Sequence, residues 1–160
     1  MKYILAVDPG LTGGLALYSE NELHTFEIPT IQIKVNGKNK KDIDLDELSR
    51  LIDSWSKDIR FVVIEKVHAM PGQGVTSMFN FGKGYGRLEG VIKANFLPLE
   101  YVTPQTWKKK LGIPADKKLS RLRASELFPN NSDQWCKAKW DGRAEAAMIA
   151  LWAKNTLLQD

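Results

Sequence analysis

Four acidic residues, Asp8, Glu65, Asp141 and Glu145, are placed where a carboxylate does more than solvate a surface. Asp8 closes the apolar run Tyr3–Val7, and Glu65 closes a second apolar run, Phe61–Ile64. Both runs read as buried strands, and ligands in open α/β sheets collect beyond the carboxyl ends of such strands. Asp141 and Glu145 are four residues apart in a helical stretch and so share one face, where like charges repel. The field at a helix amino terminus eases that cost for Asp141, and a bound cation would remove most of it. Hard oxygen ligands in this number suit Mg²⁺ or Mn²⁺. Two such ions about 3.5 to 4 Å apart are the usual arrangement for in-line phosphodiester hydrolysis. In that chemistry one ion activates a water and the other stabilises the leaving 3′-oxygen. Asp8, from the central strand, is expected to bridge, with Glu65 on one side and Asp141 with Glu145 on the other. Each acid also has a plainer role open to it. Asp8 can form an Asx turn with Gly10, Glu65 can pair with Lys66 or Arg87, Asp141 can cap its helix, and Glu145 can pair with Arg143 or Lys154.

The second signal is positive charge. The chain carries a net charge of +4, yet between Gln105 and Arg123 seven bases face one acid, Asp116. These are Lys108, Lys109, Lys110, Lys117, Lys118, Arg121 and Arg123, and without that stretch the remainder is slightly acidic. A local concentration of this kind favours docking of a polyanion over general solubility. Trp107 sits beside three of the lysines and can stack or, as the plainer expectation, anchor its helix.

The elements that hold these residues follow from local pattern. Pro9-Gly10 and Gly13-Gly14 interrupt the first strand and start a second at Leu15–Tyr18, and Glu22–Ile28 reads as a third. Ile31–Lys41 has an Asn-Gly turn before a lysine cluster and reads as a hairpin or a mobile loop, its lysines either solvated or on a phosphate backbone. Leu45–Trp55 has helical spacing behind a cap at Asp44 or Asp46. Val75–Asn95 reads as a helix in spite of Gly82, Gly84, Gly86 and Gly90. Each glycine there costs about 0.5 to 1 kcal/mol, so something must approach closely: a helix, a sheet, a second subunit or DNA. Its glycines lack the spacing and flanking strand of a phosphate-binding loop. Leu99–Val102 is a further strand, followed by a short helix near Trp107–Leu111 and another from Asp116 to Phe128. On the latter, Leu119, Leu122, Leu127 and Ala124 are expected inside, and Lys117, Lys118 and Arg121 outside. An irregular link then leads to a last helix, Asp141–Leu157.

Composition narrows the class. At 160 residues, 43% hydrophobic and 26% charged, the chain is long enough for a sizeable core and ordinary for a globular protein. No apolar run approaches the roughly 20 residues of a membrane span, and Met1-Lys2 leads directly into a strand. Cys136, the single cysteine, excludes an internal disulfide and a cysteine-built zinc site. A cytoplasmic location, in a cell or in a host cell, is expected.

The segments "AVDPGLTGG", "VVIEKVHAMPGQGVTSMFNFGKGYGRLEGVI", "VTPQTWKKKLG", "DKKLSRLRASELFP" and "DGRAEAAMIALW" resemble the RuvC-like Holliday junction resolvases of the ribonuclease H superfamily, in the compact form of phages, bacteria and chloroplasts. The resemblance spans residues 2 to 154. It implies an α/β, ribonuclease H-like fold with a five-stranded mixed sheet flanked by helices, one nuclease domain over residues 1–160, and a homodimer. Two active sites would then nick opposed strands of a four-way junction. Each site is expected to hold two ions, Mg²⁺ or Mn²⁺, at Asp8, Glu65, Asp141 and Glu145. Glu145 stands where many bacterial members carry an aspartate or have a histidine nearby, and neither His24 nor His68 lies in the last helix. The resemblance also gives "HAMPGQGVTSMF" as the loop that meets the junction point, with Phe79 either a wedge between bases or a core or dimer residue, and His68 either a phosphate contact or structural; Ser77 and Asn80 can make polar contacts near the crossover. Two other classes share parts of this pattern. A ribonuclease H-like enzyme on RNA/DNA hybrids would use the same acids as a monomer. A non-catalytic branched-DNA binding module would need only the basic surface.

Overall fold

The computed structural model of the chain describes residues 2–158. Strands β1 (Tyr3–Asp8), β2 (Gly14–Tyr18) and β3 (Leu23–Glu27) form an antiparallel meander. Next come a separate hairpin of β4 (Thr30–Val35) and β5 (Lys38–Ile43), helix α1 (Leu45–Trp55) and strand β6 (Ile59–Glu65). Helix α2 (Val75–Ala94), strand β7 (Leu99–Val102) and helices α3 (Pro104–Leu111), α4 (Lys117–Leu127) and α5 (Asp141–Leu157) complete the order. The main sheet has five strands in the order β3-β2-β1-β6-β7, with β6 parallel to both β1 and β7. This is a mixed sheet flanked by helices, in a ribonuclease H-like topology.

Alternation along the strands sorts the core into two layers. Ile4 and Ala6 of β1, with Phe61 and Val63 of β6, pack on the side of α5. Leu5 and Val7, with Val62 and Ile64, pack against Leu48 and Ile52 of α1 and Leu88 and Ile92 of α2. Asp8 and Glu65 continue the first of these series, so both carboxylates project toward α5. The parallel register, Val7 beside Ile64, sets them next to each other across the two strand ends.

Helix α5 lies against the sheet through Ala144, Ala146, Ala147, Ile149, Ala150 and Ala153, all buried. Its first turn is pressed into the β1–β2 turn. A Cβ on Gly142 would overlap the Gly13 carbonyl carbon and lie 2.5 Å from the Thr12 carbonyl oxygen. That close approach brings the acids of α5 to the strand ends.

Helix α1 has the expected cap at Asp44, and α3, which starts at Pro104 rather than near Trp107, and α4 are capped in the same way. Asp44 accepts from Glu47 N–H, Thr103 accepts from Thr106 N–H with Pro104 at the first turn, and Asp116 accepts from Lys118 and Leu119 N–H. The hairpin is regular, turning at Asn36 and Gly37, both with positive φ as a type I′ turn requires. The link before α5 is built of short 3₁₀ turns that bury Trp135.

Two expectations are corrected. Helix α4 buries Ser120 and Ala124, whereas Leu119 and Leu122 are 50% and 54% exposed. Small residues let α4 sit close to α5, and that rotation turns Arg121 inward and leaves Lys117 exposed at the edge, within reach of Glu145. In α2, helix-on-sheet packing does not explain the glycines. A Cβ would meet nothing within 4 Å at Gly82, Gly86 or Gly90, and only Ile43 Cδ1 at 3.3 Å from Gly84.

Candidate metal centre and nucleic-acid interface

Asp8, Glu65 and Glu145 each offer a carboxylate oxygen, and these oxygens all lie within 4.8 Å of one another. Glu65 and Glu145 are buried, and Asp8 keeps part of its surface open to a cavity of about 900 Å³. Burial, followed by the charges of Glu145 and Glu65, pushes the Asp8 carboxyl well above the ordinary carboxylate range. Burial also raises Glu65, against the opposing hydrogen bond from Trp107. Asp8 and Glu65, burdened in this way, gain from a divalent cation shared with Glu145, and an all-carboxylate donor set fits Mg²⁺ or Mn²⁺.

Asp141 lines the same cavity but stands outside the group of three. The expected set of four is therefore three acids together and one beside them, a turn earlier on α5. Asp141 Oδ1 lies 2.7 Å from Arg121 Nε, at an angle that makes an ion pair and no hydrogen bond. Glu145 is held by Lys117. Burial pulls the Lys117 ammonium down, but the hydrogen bond and charge of Glu145 outweigh it and raise its pKa. Lys117 and Arg121 are thus one turn apart on α4 and matched to Glu145 and Asp141, one turn apart on α5. Arg121 is drawn in from the outer face that helical spacing suggested, whereas Lys117 stays largely exposed there and reaches Glu145 with its ammonium. The plainer pairings expected for the acids are also replaced among the described residues: Glu145 takes Lys117 rather than Arg143 or Lys154, and Glu65 takes Trp107 rather than Lys66 or Arg87.

Trp107 is the site residue whose role the sequence hid. Its ring is fully buried, and its indole Nε1 donates to Glu65 Oε2 at 2.7 Å. A buried indole N–H requires an acceptor, and that rule is the one signal that points from Trp107 to a polar partner. The contact orients Glu65 in the way that outer-shell donors orient metal-binding carboxylates. Lys108 follows on α3, lines the cavity and sets its ammonium 5.4 Å from the Trp107 ring centre.

The other basic residues divide. Lys109, Lys110 and Lys118 are exposed. Arg123 donates to the Leu111 carbonyl at 3.1 Å and to Glu126 at 2.9 Å, and so ties α4 to α3. Lys41 and Lys139, outside the basic stretch, also line the cavity. Beside the cavity a more apolar groove is lined by His68, Ser77, Met78, Phe81 and Gln105. Phe79 and Asn80 are exposed near the start of α2, Phe79 by 68%, so the described chain gives Phe79 no core role.

Solved structures share this architecture. Thermus thermophilus RuvC in complex with a Holliday junction substrate matches with a TM-score of 0.56 at 11% identity, over 97% of this chain and 96% of that one. A second Thermus thermophilus RuvC structure matches with a TM-score of 0.54 at 12% identity, over 96% and 95%. The yeast mitochondrial Holliday junction resolvase Ydc2 gives 0.54 at 15% identity, over 94% of this chain and 77% of that one. The chain has the fold of these resolvases. No family model and no curated protein matches it. No helix among the described residues is long and apolar enough to cross a membrane.

Proposed function

We propose that the chain is a metal-dependent, structure-selective DNA endonuclease that resolves four-way junctions by paired symmetric nicks, as a cytoplasmic homodimer with one nuclease domain per chain. The observation that carries this reading is the Asp8–Glu65–Glu145 cluster at the floor of a lysine-rimmed cavity, within the fold of resolvases. Asp8, Glu65 and Glu145 would hold Mg²⁺ or Mn²⁺, with Asp141 completing a second position. When bound, the ions supply charge stabilisation of the phosphoryl group and a lowered pKa for the attacking water.

The chain's own residues do the rest. Trp107 keeps Glu65 aimed into the cavity. Lys108 and Lys117 present ammonium groups beside the acids, where they attract the phosphate and balance charge that grows on its oxygens. Hydrolysis adds water across the phosphorus–O3′ bond and leaves a 5′-phosphate and a 3′-hydroxyl. Lys109, Lys110, Lys118 and, with the loop, His68, Ser77, Phe79 and Asn80 would engage the junction away from the cut. Phosphate contacts of this kind give affinity and register with little base reading. Selectivity for a branch then comes from shape, and a two-fold dimer matches a two-fold substrate. The open side of α2 at Gly82, Gly86 and Gly90 supports a second copy there.

The test is cleavage of an end-labelled four-way junction beside a linear duplex and an RNA/DNA hybrid, with Mg²⁺, Mn²⁺ or EDTA. Paired nicks on the junction alone, absent in EDTA, are expected. Cutting of the hybrid would move the protein to a ribonuclease H activity, and tight junction binding with no cutting would make it a binding module.

A further inference from the structure

Hairpin β4–β5 stands apart from the main sheet, and all of residues 31–41 are exposed. A two-stranded ribbon is marginal in water by itself. This one is fastened at its root. Ile43 is buried in the core, Asp44 N–H donates to the Pro29 carbonyl, and Arg87 of α2 donates to both oxygens of Asp42 at 3.0 and 3.1 Å. That pairing neutralises the only acid of the hairpin. Lys34, Lys38, Lys40 and Lys41 have no ion-pair partner among the described residues.

The register separates two faces. One carries Ile31, Ile33 and Val35 opposite Asp42, Lys40 and Lys38, so lysine stems lie along apolar side chains. The other carries Thr30, Gln32 and Lys34 opposite Ile43, Lys41 and Asn39, and is polar beyond its root. Thr30 and Lys41 of this second face also line the catalytic cavity. A polar, cationic surface therefore starts at the acids and runs outward along the ribbon. Six residue pairs at about 3.3 Å each make it roughly 20 Å long, the axial length of about six base pairs.

We propose that the polar face of the β4–β5 hairpin, through Gln32, Lys34, Asn39 and Lys41, binds the phosphate backbone of the DNA arm that leaves the catalytic cavity. This rests on the DNA reading above and extends it to a surface outside the α3–α4 basic stretch. Solvation alone would not require a ribbon with a type I′ turn, a buried root and its single acid masked.

Two double variants of the full chain separate this from a general charge effect: Lys34→Ala with Lys41→Ala on the polar face, and Lys38→Ala with Lys40→Ala on the other. Each removes two charges from exposed positions, and circular dichroism checks that both fold. Junction binding is measured across a salt series in EDTA, with hydroxyl-radical footprinting of the arms. The polar-face pair is expected to lower the slope of log affinity against log salt by about 1.8 and to weaken binding on the order of tenfold near 0.15 M salt. It should also lose protection over about six base pairs of the arm flanking the cut. The other pair should keep that footprint. Equal losses in the two variants, or an unchanged footprint in the first, would overturn the hairpin inference while leaving junction cleavage standing. A wild-type protein that protects no branched DNA would overturn the DNA reading itself.

Discussion

Helices α2 and α5 are both rich in small residues, yet they use them in opposite ways. In α5 the small side chains meet the protein's own backbone, with Gly142 against Thr12 and Gly13 and a row of alanines on the sheet. In α2, Gly82, Gly86 and Gly90 face open space. Small residues permit close approach, and what they approach decides their role. In α5 the approach is completed within the chain and delivers Glu145 to Asp8 and Glu65. In α2 it awaits something outside the chain, for which a second copy is the proposed occupant.

The contrast can be broken most sharply at Gly142. A methyl group there has no room, so Gly142→Ala should cost about 1 to 3 kcal/mol, a fall of roughly 2 to 4 °C in Tm for each kcal/mol. Cleavage should drop with it as the α5 acids move off the strand ends. Thermal unfolding at wild-type Tm would show that the tight contact is not what seats α5. Next in size is Trp107→Phe, which keeps most of the apolar bulk and removes the donor to Glu65. Isothermal titration with Mn²⁺ should show affinity about 10- to 100-fold weaker. Unchanged affinity would reduce Trp107 to a packing role.

A smaller effect is expected from pH in EDTA. The Asp8 carboxyl is raised by burial and by its acidic neighbours, so its contribution to stability is fully present below its ordinary unfolded pKa. That contribution is lost as pH rises through the raised native value. An amide at this position cannot ionise, so the Tm of Asp8→Asn should gain on wild type over that pH range. A difference between the two that stays constant with pH would contradict the strain assigned to the cluster. Smallest is Gly86→Ala in α2, which should stabilise the monomer by about 0.5 to 1 kcal/mol because no part of the chain obstructs the methyl group. Sedimentation at several concentrations should show weaker self-association. Unaltered association would place the α2 glycines in solvent and leave the contrast with α5 without its second half.

Much of the site was legible because its signals are local. An apolar run ending on a carboxylate marks Asp8 and Glu65, four-residue spacing puts Asp141 and Glu145 on one face, and Asp44 and Asp116 stand at helix starts, whereas α3 starts at Thr103-Pro104, three residues before the start expected near Trp107. The strand parity that aims Asp8 and Glu65 at the same helix is a consequence of those runs. The rest depends on contacts that leave no periodic trace. Trp107 reaches Glu65 across 42 residues of sequence. The leucine spacing of α4 pointed Leu119 and Leu122 inward, but α5 already covers the sheet. Helix α4 docks through Ser120 and Ala124 instead, and Lys117 and Arg121 turn to the acids. Nor does the charge pattern of the basic stretch show that Arg123 donates to the Leu111 carbonyl.

The most direct test of the central claim compares wild type with Asp8→Asn for binding and cutting of the same four-way junction in Mg²⁺. Both proteins are expected to bind the junction and wild type alone to make paired nicks, because the substitution keeps the shape of the site and removes the charge that holds the ion. Cleavage by Asp8→Asn at the wild-type rate would contradict the assignment of Asp8, Glu65 and Glu145 as the metal centre.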